Sequence, residues 1–585
     1  MALGTVLLIA VAAQAGAGAS AECDDGRIAR VVIDNVSIFE ETDPDRDRRF
    51  NWAYTTANAL HFRTRASVIQ RELLFEPGDC FDAIRIDESA RLLREMTFLA
   101  DAEIRAERRG DGDWDVIVET RDDWSTTLDL RIRFDQGLAF EGARLYEQNV
   151  LGTGHEVSVF YFERDVTRDY GLSLYTPQLT GTRWDLAAAV GRSRAGTFVR
   201  QELAYPFVGE IGRWAGRQAY IREDYFFDYV LADDPDLEAS HLLVPMRDKA
   251  FDVALVRRIG SHGHSSLVGA GISYRAMDYP SEALLAPGGD YANRETADVG
   301  LVQSIEDQGE ALEVVRLAML LGHRNIWWVQ RRGLDSMRGL QDIRLGAEVG
   351  FELARSLPAF GRDDDLAATL SLYTGLESGQ HLVIGRARAD ARRDLDAPRG
   401  VAEWKDLYGD AELIAYLFPS EASTHTIVLR ASGLGGWSTR TPFQLTLGGE
   451  RGVRAYDFER FPGGHRVVFT LEDRLYLGFP FRDVLDTGTT LLLDAGRIWA
   501  GDAPFGQDSG WRAAAGLGLR GAFPAGSRAT FRLDVIWPIE RATQLGDFRL
   551  RFSFGEPFGL LRPLADHGFL RSRPGAVAGR LGEFR

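Results

Sequence analysis

From residue 126 onward the chain reads as one short strand after another, with turns between. Leu128-Asp-Leu-Arg-Ile-Arg-Phe134 alternates apolar and polar residues strictly, and 156–162, 424–429 and 489–498 keep the same period more loosely. A period of two puts successive side chains on opposite faces of a strand. In a transmembrane barrel the apolar set meets lipid, while Asp129, Arg131 and Arg133 turn toward a wet lumen. Tyr161, Tyr175, Phe207, Tyr225, Phe226, Phe227, Trp327, Trp328, Trp499 and Trp537 stand near the ends of these runs, where amphipathic rings form interfacial girdles. Acidic stretches at 231–238 and 362–366 suit long external loops. At about 25 residues per strand and turn, roughly 430 residues give about 16 strands. Residues 311–321 would also serve as a helix if read alone, and their neighbours favour a strand.

The N-terminal part has a different pattern. Residues 27–39 are β-branched and read as a strand, interrupted by the charged stretch 40–49. A helical pattern at 65–74 stops at Glu76-Pro-Gly-Asp79. Asp82 or Asp87 caps a second helix, in which Ile86, Ala90, Leu93 and Met96 share a face. Residues 102–108 and 114–120 flank Gly110-Asp-Gly-Asp113 as a hairpin. The predicted order is β-α-α-β-β, a small α+β unit.

Composition narrows the class. The 585 residues carry 68 basic and 86 acidic groups and a formal charge of −18, which offers no general attraction for nucleic acid. Residues 1–21 form an apolar run ending Ala19-Ser-Ala21, the pattern of a cleaved signal peptide. Export permits a disulfide between Cys23 and Cys80 but does not require one. No later stretch is long and apolar enough for a spanning helix. The predicted organisation is a signal peptide at 1–21, an α+β domain at 22–125, a transmembrane antiparallel β-barrel at 126–560 and a tail at 561–585.

Two resemblances sharpen this outline. Phe75-Glu-Pro-Gly78, Leu92-Leu93 with Phe98, and Asp115-Val-Ile-Val118 give the N-terminal unit a single POTRA-like character, similar to the periplasmic polypeptide-transport module of outer-membrane assembly proteins. The exposed edge of such a small sheet can accept an extended chain. The barrel resembles the BamA/TamA superfamily of outer-membrane assembly and translocation proteins. The matching places are Asn149-Val-Leu-Gly-Thr-Gly154, the loop Leu447-Gly-Gly-Glu-Arg-Gly-Val-Arg-Ala-Tyr456, Leu493-Asp-Ala-Gly-Arg-Ile-Trp499, and the segments 515–520 and 532–538.

That resemblance implies a latch loop, Gly452, Val453, Arg454, Ala455 and Tyr456, folded into the lumen. Arg454 would pair there with the wall carboxylates Glu472 and Asp494. Ala455 stands where the family motif has glycine, so a left-handed backbone at that position predicts strain. The resemblance places the seam between the strand near 142–150 and residues 548–554. It also implies the cell outer membrane as location, with the N-terminal domain in the periplasm. Expected partners are outer-membrane lipid and lipopolysaccharide, unfolded polypeptide clients and a periplasmic accessory protein, with no nucleic acid and no cofactor.

Enzyme chemistry finds little footing in the residues. Gly346–Gly350 and Gly433–Gly436 do not open a helix after a strand, as a nucleotide loop would. His262-Gly-His264 reads as a solvated turn, and no Gly-x-Ser-x-Gly elbow occurs. The expectation is therefore a non-enzymatic barrel that inserts outer-membrane proteins or moves polypeptide across the membrane. The alternative is a passive pore with a periplasmic spacer.

Overall fold

The computed structural model describes residues 23–39, 48–134, 138–164, 166–231, 240–396, 404–420, 424–457, 460–480, 484–540 and 547–554. The expected signal peptide and the tail at 561–585 lie outside them.

The N-terminal unit is a three-stranded sheet in which Trp114–Asp122 lies between Ile28–Val36, parallel to it, and Leu99–Arg108, antiparallel to it. Helices Ala66–Glu72 and Ala83–Glu95 cover one face. The Asp82 carboxylate accepts from the Ile84 and Arg85 amides and caps the second helix. Ile86 and Leu93 bury with Val68, Ile69, Phe98, Val116 and Val118. Cys23 and Cys80 are joined in a disulfide. A third helix, Asn51–Leu60, was not foreseen. It buries Tyr54 and Ala57 yet leaves Trp52 71% and Leu60 66% exposed, which hides its inward stripe in the sequence.

Twenty strands from Thr126–Phe134 to Arg549–Phe554 form one antiparallel barrel. The count exceeds the expected 16 because many hairpins are tighter than the assumed spacing. Six strands of nine or ten residues fit between Thr126 and Tyr205, and two residues suffice to turn between Ser261 and His264 and between Ser378 and His381. Leu312–Arg331 is a strand, so the helical pattern at 311–321 is overridden by its pairing on both sides.

Alternation decides which face is apolar. Leu128, Leu145, Val159, Leu172, Val190 and Val199 are register neighbours on consecutive strands and all are exposed on the outer wall. Such an apolar band is unfavourable in water and natural in hydrocarbon. A closed ring also satisfies the backbone hydrogen bonds that lipid cannot. No described helix is long and apolar enough to cross a membrane.

The seam is one strand away from its expected place. The closing strand Arg549–Phe554 faces Thr126–Phe134, and Leu138–Glu147 is the second strand. The turn at 149–154, expected at the opening of the barrel, joins the second and third strands instead.

The N-terminal unit sits across the barrel end that carries these turns. Arg94 forms a bidentate pair with Asp342 at 2.7 and 2.8 Å. Asn149 Nδ2 donates to Thr64 Oγ1 at 2.8 Å, Ser527 Oγ to Asp123 at 2.8 Å, and the Glu210 amide to Glu88 at 2.7 Å. Tyr54 and Phe39 pack with Val484 and Phe523 from two further turns. Glu72 meets Gln178 and Arg183, and burial pushes its carboxyl up to about 7 against the pull of Arg183.

Candidate functional site

The loop between His425–Trp437 and His465–Tyr476 folds back into the barrel. Leu445–Thr446 pairs with Pro462–Gly463 at its neck. Below the neck the Val453 amide donates to Leu447 O at 2.9 Å, and the Gly449 amide to Tyr456 O at 3.1 Å. A Cβ on Gly448 would lie 1.7 Å from Asp457 O, and one on Gly452 1.7 Å from Leu447 O, so this tight coil admits only glycine at either position. Gly449 takes the left-handed backbone at φ +92. Ala455 does not, so the strain expected there is absent.

Apolar packing seats the coil. Leu447, Val453, Ala455 and Phe443 bury against Val468, Leu492, Ile498, Ala514 and Ile536 of the wall. From the rim, the Gln444 side chain accepts from the Val230 amide at 2.8 Å and donates to Pro504 O at 3.0 Å. Gln308, 3% exposed, accepts from Tyr229 and from the Phe443 amide, tying the loop after Asp278 to the same coil.

Arg454 occupies the centre. Its Nε and Nη2 donate to the two oxygens of Asp494 at 2.7 and 2.8 Å, and Nη1 donates to Glu472 Oε1 at 2.6 Å. All three residues are at most 2% exposed. The planar fork matches the carboxylate of Asp494, which fixes the direction of the loop as well as its position. Asp494 also accepts from the Arg454 backbone amide at 3.2 Å.

Glu472 is a hub that sequence reading did not reveal. Arg474 Nε donates to its Oε2 at 2.8 Å, and Arg532 donates to both oxygens at 3.2 Å. Arg532 further meets Asp534, and Arg474 reaches Asp335 on the turn after Arg331. Three guanidiniums thus face four carboxylates with little water, an arrangement in which each charge relies on the others. The available signal was the same-face spacing of Glu472 with Arg474 and of Arg532 with Asp534.

The coil also touches the closing strand. Arg551 donates to Tyr456 O at 3.1 Å, and Arg549 pairs with Asp457 at 3.4 Å. Tyr456 OH donates to Glu540 at 2.8 Å. Among the described residues the strand so held meets Thr126–Phe134 through two register pairs, Leu550 with Phe134 and Arg551 with Arg133. Its other neighbour is met through six.

Other candidates do not assemble into chemistry. Gly346–Gly350 and Gly433–Gly436 lie within barrel strands. His262 reaches Glu88 of the N-terminal unit at 3.4 Å. Among the described residues no group of three or more His, Cys, Asp or Glu is placed to hold a metal ion.

No family model matches the chain, and no curated protein matches it. Solved structures of similar shape include CdiB from Escherichia coli, 12% identical with a TM-score of 0.43, over 91% of this chain and 76% of that one. BamA from Haemophilus ducreyi lacking POTRA domains 1-3 is 13% identical with a TM-score of 0.37, over 90% of this chain and 84% of that one. The outer membrane protein opdK from Pseudomonas aeruginosa is 12% identical with a TM-score of 0.31, over 73% of this chain and 96% of that one. Likenesses at this level carry no functional inference, and the function has to be read from the barrel's own residues.

Proposed function

We propose that this chain is a non-enzymatic outer-membrane barrel whose seam opens sideways to assist insertion of outer-membrane proteins or passage of a polypeptide, with residues 22–125 in the periplasm. The observation that carries the reading is the seam, which among the described residues has two register pairs where every other junction between neighbouring barrel strands has six or more. A strand edge exposed in hydrocarbon is costly, and the same edge is a template on which an incoming strand can pair. The coil at 452–456 acts as the latch, and Arg454 holds it on Glu472 and Asp494. Through Arg549 and Arg551 the latch supports the closing strand from inside, so that opening need not unfold the wall.

The partners of this reading are outer-membrane lipid, unfolded polypeptide clients and a periplasmic accessory protein. A passive pore is disfavoured by the coil inside the barrel and by the N-terminal unit across one end. The test is folding of a urea-unfolded outer-membrane barrel into liposomes with and without the purified protein. Accelerated client folding supports the proposal. Ion conductance without acceleration supports the passive pore and contradicts it.

A further inference from the structure

The outer wall carries a basic pair that no ion pair among the described residues accounts for. Arg222 and Lys249 are register partners on Trp214–Leu231 and Ser240–Ser261. They belong to the lipid-facing set, two residues beyond the exposed partners Tyr220 and Phe251. Among the described residues neither has a carboxylate within ion-pair distance. Their other neighbours in register are Val199 and Ala276. On the next row the comparable pair is matched, with Arg247 on Asp224 at 2.7 Å. Directly opposed like charges, with Cβ atoms about 5 Å apart, destabilise a sheet unless an anion lies between them.

Their height identifies the anion. Trp214, exposed on the outer wall with Arg257 over its ring at 5.4 Å, is an aromatic of the kind that sits at a band edge, and it lies toward the N-terminal unit. Arg222 is eight residues further along the same strand, about 27 Å of strand or about 20 Å of height at the usual tilt. An apolar band in such barrels is about 25 Å tall. The pair therefore stands about 5 Å short of the far boundary of the band, within snorkelling reach of headgroups. Arg192, also outward and exposed, lies three strands from Lys249 and extends the basic strip.

We infer that Arg222 and Lys249 bind a lipid-anchored phosphate of lipopolysaccharide in the outer leaflet. This rests on the outer-membrane reading above. The N-terminal unit sits at the opposite end, so the pair faces the external leaflet, where that phosphorylated glycolipid resides. Two cations at one site neutralise a phosphate better than either alone.

Lysine labelling tests this directly, because the chain has only two lysines, Lys249 and Lys405. Lys405 is held by Asp394 at 2.7 Å and Glu310 at 3.0 Å, which makes it an internal reference. The folded protein is placed in vesicles of neutral lipid, of the same lipid with phosphatidylglycerol, or with lipopolysaccharide, and amine acylation is followed by mass spectrometry. Lipopolysaccharide should slow acylation of Lys249 about fivefold relative to neutral lipid, as occupancy of a bound state requires. The protection should fall in Arg222→Gln. Equal acylation rates in all three vesicles would overturn the site, and equal protection by phosphatidylglycerol would overturn its assignment to lipopolysaccharide. A heat-modifiable gel shift, read on the same samples, reports whether the barrel itself has formed. A missing shift counts against the outer-membrane reading, and unprotected Lys249 in a shifted sample counts against this inference alone.

Discussion

The wall that carries the latch and the seam beside it are built from the same kind of strand, yet they are held very differently. His425–Trp437 and His465–Tyr476 share eleven register pairs, and the next junction shares twelve. Among the described residues the seam shares two. Within the wall, buried charges and close apolar packing fix the latch. At the seam, the closing strand also touches that coil through Arg549 and Arg551. One ring thus contains a long-laddered wall and a short-laddered seam, and the coil at 452–457 touches both.

The strongest way to break this contrast is to remove the hub. Glu472→Ala leaves Arg454, Arg474 and Arg532 without their shared carboxylate and should cost about 3–5 kcal/mol. Loss of the folded gel band at lower temperature and a lower urea midpoint would show it. Gly452→Ala keeps every charge but forces a Cβ to 1.7 Å from Leu447 O. The expected cost is about 1–3 kcal/mol, with new protease cleavage in the 445–457 coil.

A gentler measurement sharpens the contrast without altering the chain. Amide exchange in Arg549–Phe554 should run about a hundredfold faster than in His465–Tyr476, since local opening follows the local ladder. Comparable protection of both strands would remove the difference between wall and seam. The smallest effect concerns Glu72, away from both regions. Its carboxyl is raised when the N-terminal unit is docked, so its contribution is complete below the ordinary value of 4.5 and is lost as pH rises through about 7. Relative to intrinsic exchange, protection of the amides at 66–73 should therefore fall a few-fold between pH 5.5 and pH 8, with protection in the barrel unchanged.

Much of this was legible in the residues, for definite physical reasons. Alternation from Leu128 onward marks the apolar set as outward, and Leu128 is exposed on the outer wall, because lipid tolerates no polar slip in register. The glycines and Arg454 mark the coil, because backbone approach and a guanidinium fork leave few substitutes. The strand number was less legible, because two-residue hairpins carry no spacing signal. Arg474, Arg532 and Asp335 were missed because lumenal charges recur on nearly every strand, and only ring closure decides which of them meet. The seam shifted by one strand for a similar reason, since Thr126–Phe134 pairs on one side in the manner of any other strand.

The central claim is that the seam opens while the neighbouring wall stays shut. Phe134→Cys with Leu550→Cys places a cysteine pair across the seam, and Leu429→Cys with Leu471→Cys places one across the wall. Both proteins are reconstituted in liposomes, and folding of a urea-unfolded barrel client is timed before and after oxidation. The account predicts that oxidising the seam pair abolishes acceleration, that reduction restores it, and that oxidising the wall pair changes nothing. Undiminished acceleration with the seam pair fully oxidised would contradict it.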